Sequence, residues 1–309
     1  MRIIAVDIGG TAIKAGVWDG TQILEYKEWE TNASSGGAAL MDRVKALIET
    51  YSSSSADGIG ISTAGEVNAE NGSILYANSN IPGYTGMPVK QMLENEFHVP
   101  VSVENDVNAA AIGELHGGAG RGYRDFLCVT YGTGVGGCIV MNGQVVRGAT
   151  HCAGGFGGMI IHPECRDGSE SLQGCYERCA STTALVEKVK AVDPSLDGGR
   201  KIFAAMDRKE VCRLIDEWIN DICTGLINLI YIFNPPLVIL GGGVMSQEYV
   251  RQEINRKVKH QLPPLLRDTA IVPAGLGNTA GMLGAAYLCA AEMRPLYGGG
   301  TVHSTRAGI

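Results

Sequence analysis

The sequence contains the same order of strands, glycines and turn residues twice, and this repeat limits the folds that the chain can adopt. Residues 3–28 run from an apolar strand through a glycine loop to a second strand, an Asp-Gly pair and a third strand. Residues 126–147 repeat this order with an Asn-Gly pair at the turn. Asp-Gly and Asn-Gly between alternating apolar residues are strong signals of two-residue hairpins. The match predicts two lobes built on one plan, with two unrelated hairpins as the alternative.

A glycine loop follows the first strand of each copy. The loop residues are Asp7, Gly9, Gly10 and Thr11 in the first copy and Gly132, Thr133 and Gly134 in the second. Backbone N–H groups in such loops can hold phosphate, so two facing loops could clamp a nucleotide. Lys14 could add positive charge near the phosphates, although an exposed strand lysine is an equal alternative.

A third strand-to-glycine turn follows the apolar run at 237–240. It contains Gly241, Gly242 and Gly243, and a helix start is predicted nearby. These glycines could approach a ligand closely, since glycine allows the backbone to come near another group. A tight turn without a ligand is the alternative.

Asp106 lies between the two glycine loops, in the run Glu104-Asn105-Asp106-Val107-Asn108. A helical pattern over residues 108–116 follows directly, which places the carboxylate at a helix N-terminus, where the helix dipole favours its anionic form. A carboxylate in this position can accept a proton from a hydroxyl. The sequence therefore predicts phosphoryl transfer to a bound alcohol, with Asp106 as general base.

The composition narrows the class of protein. A chain of 309 residues exceeds the usual size of a single hydrophobic core, which favours two lobes. The formal net charge of −7 is opposite to that of a typical nucleic-acid binder, so we expect no nucleic-acid partner. No apolar run has the length of a signal peptide or a membrane span, which predicts a cytoplasmic protein without a membrane partner. The nine cysteines are an odd number, and in a reducing compartment most would be small buried hydrophobes.

Taken in order, these motifs resemble the ROK family within the actin/hexokinase-like ATPase superfamily, over nearly the whole chain. The resemblance rests on residues 7–11, 104–109, 132–137, 174–177, 234–235 and 241–243. It implies an α/β fold of the actin-like ATPase (ribonuclease H-like) type, with two similar lobes, each a mixed sheet flanked by helices, and a cleft between them. The lobes would be residues 1–115 and 116–279, with a helix at about 280–293 packing back on the first lobe and a flexible tail at 294–309. A homodimer is also implied.

The resemblance assigns roles in an ATP-dependent phosphorylation of a hexose or hexose derivative, at the C6 hydroxyl. Asp106 would be the general base, and Asp7 would organise Mg²⁺ and phosphate through water. The two glycine loops, with Lys14, would bind the phosphates of ATP, and residues 241–243 would lie near the adenosine. Asparagine and carboxylate side chains can bridge adjacent hydroxyls, and the sugar contacts would come from Gly65, Asn78, Asn80, Asn105 and Glu177. Asn78 and Asn80 could equally be turn residues.

The chain departs from the family pattern in the motif Gly-Glu-x-Gly-His, which follows the second hairpin. Gly155 stands in place of the glutamate and Gly158 in place of the histidine, so two expected sugar contacts are missing. As a hypothesis, this loss favours a substituted sugar, such as an N-acetylhexosamine or a glycoside, over bare glucose.

The zinc loop of the family, Cys-x-Cys-x4-Cys, is also broken. Gly168 and Glu170 stand where two of its cysteines belong, so we expect no structural zinc. A rearranged tetrahedral site is the alternative, and its ligands would be His162, Cys165, Cys175 and Cys179.

Two other functions are compatible with the motifs. A sugar-responsive repressor of this family carries a helix-turn-helix ahead of the first strand, and with that strand beginning at Ile3 we expect none. A catalytically weak sugar or nucleotide sensor is motivated by Gly155 and Gly158. Asp106 favours the kinase, because a protein that only binds has less need of a base.

Overall fold

The computed structural model describes residues 1–51, 56–168 and 172–293, which fold as two units. The first unit comprises Met1–Ala109 together with the described residues from Met282 to Met293, and the second comprises Ala110–Gly281. From the sequence alone, the corresponding divisions are predicted at residues 115 and 279. The predicted tail at 294–309 lies outside the described residues, as does Glu170.

The first unit is built on a five-stranded mixed sheet. Its strands are β1 (Ile3–Ile8), β2 (Ala12–Trp18), β3 (Ile23–Glu30), β4 (Gly58–Thr63), β5 (Glu66–Asn68), β6 (Ser73–Tyr76) and β7 (Val101–Asn105), and its helices are α1 (Gly37–Glu49), α2 (Val89–Phe97) and the start of α3 (Asp106–Gly117). The sheet order is β3-β2-β1-β4-β7, and β5 pairs with β6 in a separate hairpin. Since β1 is antiparallel to β2 and parallel to β4, the sheet is mixed.

The core of the first unit lies between its sheet and α1. Leu40, Val44 and Ile48 recur at four-residue intervals on α1, which places them on one face of the helix. They belong to one buried cluster with Ile4 and Val6 of β1. Alternate residues of a strand point to the same side of a sheet, so this face of β1 buries its apolar side chains against the helix.

The second unit repeats the strand order of the first. Its strands are β8 (Phe126–Tyr131), β9 (Val135–Met141), β10 (Gln144–Val145), β11 (Leu237–Gly241) and β12 (Ala270–Pro273), and its helices are α4 (Tyr176–Ala180), α5 (Thr182–Lys190), α6 (Gly199–Ala204), α7 (Lys209–Phe233) and α8 (Glu248–Gln261). The sheet order is β10-β9-β8-β11-β12. Two mixed sheets with the same order confirm the predicted fold class.

Helix α7 is central to the core of the second unit. Trp218 is fully buried, and its Nε1 donates a hydrogen bond to Ala180 O at 2.9 Å. The hydroxyls of Tyr131 and Tyr176 lie 2.6 Å apart, and that of Tyr176 also donates to Ile222 O at 2.8 Å. Buried polar groups are stabilising only when they are paired, so these bonds fix α4 and β8 against α7. Within the described ranges, no helix is both long and apolar enough to cross a bilayer.

The last helix, α9 (Ala280–Met293), packs on the sheet of the first unit. A β-carbon at Gly58 would lie 2.7 Å from Cys289 Sγ, so glycine at this position lets the helix approach β4. The Ser102 hydroxyl of β7 donates to Glu292 Oε2 at 2.7 Å. These contacts explain why the described residues from Met282 to Met293 belong to the first unit.

Three elements of the first unit differ from the sequence prediction. The third strand, predicted over residues 22–26, extends through Glu30 as β3. It is an edge strand with mostly exposed side chains, so its charged residues hide the apolar alternation. The β5–β6 hairpin and α2 are not predicted, because both are short and carry few buried residues.

Glu114 of α3 is a buried carboxylate that holds three backbone N–H groups of the second unit. It accepts hydrogen bonds from Ala119 N at 2.7 Å, Leu276 N at 2.9 Å and Gly275 N at 3.0 Å. We expect Glu114→Gln to lower the free energy of unfolding by about 2 kcal/mol, because an amide group would face donors and leave buried N–H groups unpaired.

Denaturant unfolding of the wild type and the variant measures this loss. The matched control is Glu70→Gln, which changes an exposed glutamate and should alter stability by less than about 0.5 kcal/mol. Equal stability of Glu114→Gln and the control would contradict the role given to Glu114.

Candidate active site

A row of polar side chains crosses the sheet of the first unit. The strand register pairs Asp7 with Lys14 on β2 and with Ser62 on β4, and it pairs Ser62 with Glu104 on β7. The Ser62 hydroxyl donates to Asp7 Oδ1 at 2.7 Å, and Lys14 Nζ lies 3.3 Å from Asp7 Oδ2. Lys14 is therefore an ion-pair partner of Asp7, and its side chain is only 21% exposed. Sequence reasoning misses Ser62, because its contact depends on the register of two strands.

Asn105 ends β7 and caps α3. Its Oδ1 accepts hydrogen bonds from Val107 N at 3.0 Å and Asn108 N at 3.1 Å, two of the N–H groups that a helix start leaves unpaired. Its Nδ2 donates to Gly65 O at 2.9 Å and to Asp106 Oδ1 at 3.0 Å. The predicted positions Gly65, Asn105 and Asp106 therefore lie together, and the Asn105 side chain already serves the helix.

Asp106 is the first residue of α3. Its Oδ1 accepts hydrogen bonds from Val107 N at 2.9 Å and from Asn105 Nδ2, whereas its Oδ2 accepts none from the residues that the structure describes. Burial, and then the negative charge of Asp7, raises the pKa of Asp106 to about 6, although the hydrogen bonds from Val107 and Asn105 oppose this rise. A carboxylate with this pKa and an available oxygen can accept a proton from a bound hydroxyl near neutral pH.

A buried threonine supports the glycine loop of the first unit. Gly9 N donates to Ala12 O at 2.9 Å and closes the loop. The Thr31 hydroxyl donates to Gly9 O at 2.7 Å, and the Thr31 N–H donates to Thr11 O at 3.0 Å. Since these bonds occupy loop carbonyls while Gly10 and Thr11 stay exposed, the loop is held in place and is still accessible to a ligand.

The glycine loop of the second unit has the same kind of support. Gly132 N donates to Gly134 O at 2.9 Å, and Gly132 O accepts from Thr182 N at 2.9 Å. The Thr182 hydroxyl donates to Tyr131 O at 3.2 Å. Sequence reasoning misses Thr31 and Thr182, because their side-chain bonds join residues 22 and 51 positions apart.

Two cavities of the second unit contain residues from its glycine turns. The larger has a volume of about 820 Å³, and its walls include Gly132, Thr133, Val186, Lys190, Arg200, Phe203, Gly243 and Val244. The smaller has a volume of about 480 Å³, and its walls include Thr130, Gly241, Gly242, Gly243 and Arg251. The structure therefore brings the predicted positions Gly132, Thr133 and Gly243 to one cavity, whereas Gly241 and Gly242 line the other.

Glu177 of α4 lies between the second glycine loop and a turn at residues 154–158. Its Oε2 accepts a hydrogen bond from Val135 N at 3.1 Å. A β-carbon at Gly157 would lie 3.2 Å from Glu177 Cβ, and one at Gly134 would overlap the carboxylate. Glu177 is exposed, and its Oε1 accepts no hydrogen bond within the described residues, so this oxygen is available to a ligand.

The turn beside Glu177 contains two kinds of glycine. Gly154 has a φ of 93°, and β-carbons at Gly154 and Gly157 would lie 2.7 and 2.5 Å from carbonyl oxygens of β9, so the fold requires glycine at both positions. At Gly155 the nearest atom to a β-carbon would be 3.4 Å away, and at Gly158 there is none within 4 Å. The fold would therefore accept side chains at Gly155 and Gly158, both of which are exposed.

Asn78 and Asn80 lie in an exposed turn of the first unit. Asn78 Oδ1 accepts a hydrogen bond from Asn80 N at 3.1 Å, a local bond typical of asparagine in turns. The Asn80 side chain makes no hydrogen bond within the described ranges. The turn therefore uses Asn78 and leaves the Asn80 amide available.

The four residues of the alternative metal site do not fit a zinc ion. Both ring nitrogens of His162 face carboxylates, with Nδ1 2.7 Å from Glu164 Oε1 and Nε2 2.9 Å from Asp221 Oδ1. Burial, and then the charge of Asp221, raises the pKa of the Cys179 thiol to about 11, which disfavours the thiolate that zinc requires. No group of three His, Cys, Asp or Glu side chains in the described part of the chain could hold a metal ion.

Comparison with known proteins identifies the family that the chain resembles over nearly its whole length. The model of the ROK family matches residues 3–292. A beta-glucoside kinase of Listeria monocytogenes is 38% identical over 300 residues, which cover 93% of this chain and 97% of that protein. A glucokinase of Halalkalibacterium halodurans is 32% identical over 314 residues, covering 92% and 94%. The crystal structure of a ROK family glucokinase from Streptomyces griseus, in complex with glucose and AMPPNP, is 32% identical with a TM-score of 0.81, covering 93% of this chain and 99% of that chain.

The raised pKa of Asp106 predicts that its ionisation costs stability. The pKa in the folded protein is about 6, above the ordinary value of 3.8, so the folded state binds the proton more tightly than the unfolded state. The stabilisation that the bound proton gives to the folded state is fully present below about pH 4 and is lost as the pH rises through about 6. We expect Asp106→Asn to be more stable than the wild type at about pH 8, by on the order of 2 kcal/mol, because the variant has no buried charge.

Unfolding experiments at about pH 8 and about pH 4 check this sign, since the difference should shrink at the lower pH. Asp268→Asn is the control, because Asp268 is an exposed carboxylate. If Asp106→Asn were less stable than the wild type at pH 8, the ionised Asp106 carboxylate would not destabilise the folded protein.

Proposed function

The chain belongs to the ROK family, and we propose that it is a kinase that transfers phosphate from ATP to a hexose or hexose derivative, at the C6 hydroxyl. The observation that carries this proposal is the state of Asp106, a carboxylate with a pKa of about 6 at the start of α3. Its Oδ2 accepts no hydrogen bond from the residues described, which leaves it for a substrate.

In the proposed reaction, Asp106 Oδ2 accepts the proton of the sugar hydroxyl. The sugar oxygen bonds to the γ-phosphorus as the bond from that phosphorus to the leaving oxygen of ADP breaks. A base is most effective when its pKa lies near the working pH, and burial provides this pKa for Asp106. The hydrogen bonds from Asn105 and Val107 to Oδ1 fix the direction in which Oδ2 points.

The phosphates of ATP and Mg²⁺ are proposed to contact the glycine loops and Asp7. Bound Mg²⁺ would neutralise negative charge on the phosphates, and Asp7 would hold it through water. Ser62 and Lys14 keep the Asp7 carboxylate in place, and Lys14 adds positive charge. The proposed phosphate donors are Gly9, Gly10 and Thr11 in the first unit and Gly132, Thr133 and Gly134 in the second.

The larger cavity of the second unit is the proposed site for adenosine. Its volume of about 820 Å³ lies within the usual range for small-molecule sites. Val186, Phe203 and Val244 offer apolar surface to a base, and Lys190 and Arg200 offer positive charge. Gly243 lines this cavity, and Gly241 and Gly242 would position the turn that carries it.

A glycoside is the proposed form of the sugar. Gly155 and Gly158 carry no side chains, although the fold has room for larger residues at both positions. They flank Gly157, which lies against Glu177. The absence of these two side chains leaves space for a substituent on the sugar. The relative from Listeria monocytogenes is a beta-glucoside kinase, which supports the same choice. Proposed contacts to sugar hydroxyls are Gly65, Asn78, Asn80 and Asn105 in the first unit and Glu177 in the second.

Replacing Asp106 with Asn tests the kinase proposal. We expect Asp106→Asn to lower kcat by at least about 100-fold, because a positioned base contributes on the order of 10² to 10⁴ to the rate. Sugar binding, measured by calorimetry, should change little. An ADP-release assay measures turnover, and a variant with near-normal kcat would disprove the base assignment.

The pH profile of the wild type is an independent check. We expect kcat/KM for the sugar to rise with pH and to level off above about pH 6, because only the ionised carboxylate accepts the proton. A wild type that binds sugar and ATP without turnover would support the sensor instead.

The substrate is tested with a panel of glucose, N-acetylmannosamine and a β-glucoside. We expect the β-glucoside to have a kcat/KM at least equal to that of glucose, and Gly158→His to lower the value for the β-glucoside by about tenfold or more through steric exclusion. Gly158→Ala is the matched control, since a methyl group meets no atom within 4 Å. A tenfold preference of the wild type for glucose would contradict the glycoside proposal.

A further inference from the structure

His162 forms a charged link between a loop and the core of the second unit. Its ring lies between Glu164 and Asp221, with the nitrogen-to-oxygen distances of 2.7 and 2.9 Å. Ionised carboxylates only accept hydrogen bonds, so each ring nitrogen bonds its carboxylate when it carries a proton, and both bonds exist together in the imidazolium form. The hydrogen bonds to Asp221 and then Glu164 raise the pKa of His162, in agreement with this geometry.

The anchor for this link is rigid. Asp221 lies on α7, between the buried Trp218 and Ile222, and its side chain is 14% exposed. Its other oxygen, Oδ2, is 3.6 Å from Lys188 Nζ on α5. Asp221 therefore joins the imidazolium and an ammonium group on a helix that belongs to the core.

Backbone bonds connect His162 to the segment that carries Glu177. The N–H groups of Ile161 and His162 both donate to Gly174 O, at 2.9 and 3.0 Å, and Ile160 forms a β-bridge with Cys175. Gly174 has a φ of 67° and packs directly on the His162 carbonyl. The chain then enters α4 at Tyr176, one residue before Glu177.

We propose that the His162–Asp221 pair fixes the segment that carries Glu177, a task that a bound metal would otherwise perform. His162 is thereby a positioning residue for Glu177. In the ROK family, a zinc ion bound to the Cys-x-Cys-x4-Cys loop would make such a link. In this chain both ring nitrogens of His162 lie against carboxylates instead. A charge-assisted hydrogen bond at a partly buried position can hold a loop in this way. The kinetic consequence rests on the proposed sugar kinase activity, whereas the structural link does not.

Two carboxylates and one ammonium group are the charged groups around the His162 ring among the described residues. The groups around the ring are Glu164 in its own loop, Asp221 on α7 and Lys188 on α5. The Cys179 thiol also lies near Asp221, Lys188 and the thiols of Cys165 and Cys175. Asp221 thus has two cationic partners, and removing the imidazolium leaves it with Lys188 alone.

The test compares His162→Gln with His260→Gln, in which an exposed histidine on α8 is changed. We expect His162→Gln to raise the KM for the sugar by about fivefold or more, with less than about a twofold change in kcat and in the KM for ATP. The thermal midpoint should also fall. Treatment of the wild type with EDTA that is removed before the assay in Mg²⁺, or addition of one equivalent of zinc, should change neither the sugar KM nor the thermal midpoint. His260→Gln should match the wild type throughout.

A double-mutant cycle identifies the partner. Asp221→Asn should have a similar effect on the sugar KM, and the double variant should be little worse than the poorer single variant, because both remove one interaction. Additive effects of the two substitutions would overturn the proposed interaction between His162 and Asp221. So would wild-type KM and thermal midpoint in both single variants, or one equivalent of zinc in the purified protein that His162→Gln loses.

An observation on the wild type keeps the proposal testable if the variants fail to fold. Nitrogen NMR of the full chain should show a proton on His162 Nε2, the nitrogen that faces Asp221, and a ring without a proton on Nε2 would overturn the proposal. If no sugar is phosphorylated, the kinase proposal fails, but the NMR spectrum, the metal content and the thermal midpoints still decide whether the link exists.

Discussion

The candidate site of the first unit depends on the side chain of Asn105. Its oxygen caps α3 through the N–H groups of Val107 and Asn108, and its nitrogen binds Gly65 O and Asp106 Oδ1. An aspartate or serine could also cap the helix, but neither carries the two N–H donors that Asn105 uses for Gly65 and Asp106. One amide therefore sets the start of the helix and the orientation of the carboxylate.

The surroundings of Asp106 have opposing effects on its pKa. The helix start and two hydrogen bonds favour the charged form, whereas burial and the nearby charge of Asp7 oppose it. Burial wins, and the pKa rises to about 6. The result is a carboxylate that is ionised at neutral pH but still has appreciable affinity for a proton, which is what a general base requires.

The parts of the fold that sequence could predict are those with local signals. Both hairpin repeats have Asp-Gly or Asn-Gly turns, and α7 has a long helical pattern of apolar residues. The antiparallel strands β1–β3 and β8–β10 and this helix therefore follow from neighbouring residues, whereas the parallel pairing of β4, β7, β11 and β12 does not. Ser62, Thr31 and Thr182 have no such signal, because each acts through a partner brought near by strand register or by a distant loop. Asn105 differs from these three, because it caps α3 through residues two and three positions along the chain.

The second unit shows how one plan can be kept while its details change. Thr182 bonds the carbonyls of Gly132 and of Tyr131 just before the loop, much as Thr31 bonds those of Gly9 and Thr11, so a threonine supports the glycine loop in both units. The turn at 154–158 differs, because its required glycines, Gly154 and Gly157, alternate with two that the fold does not require. A glycine that packing demands reports on the fold, whereas packing gives no reason for a glycine with free space around it. The proposed glycoside site rests on Gly155 and Gly158 for this reason, since neither contacts nor backbone conformation explain the absence of a side chain there.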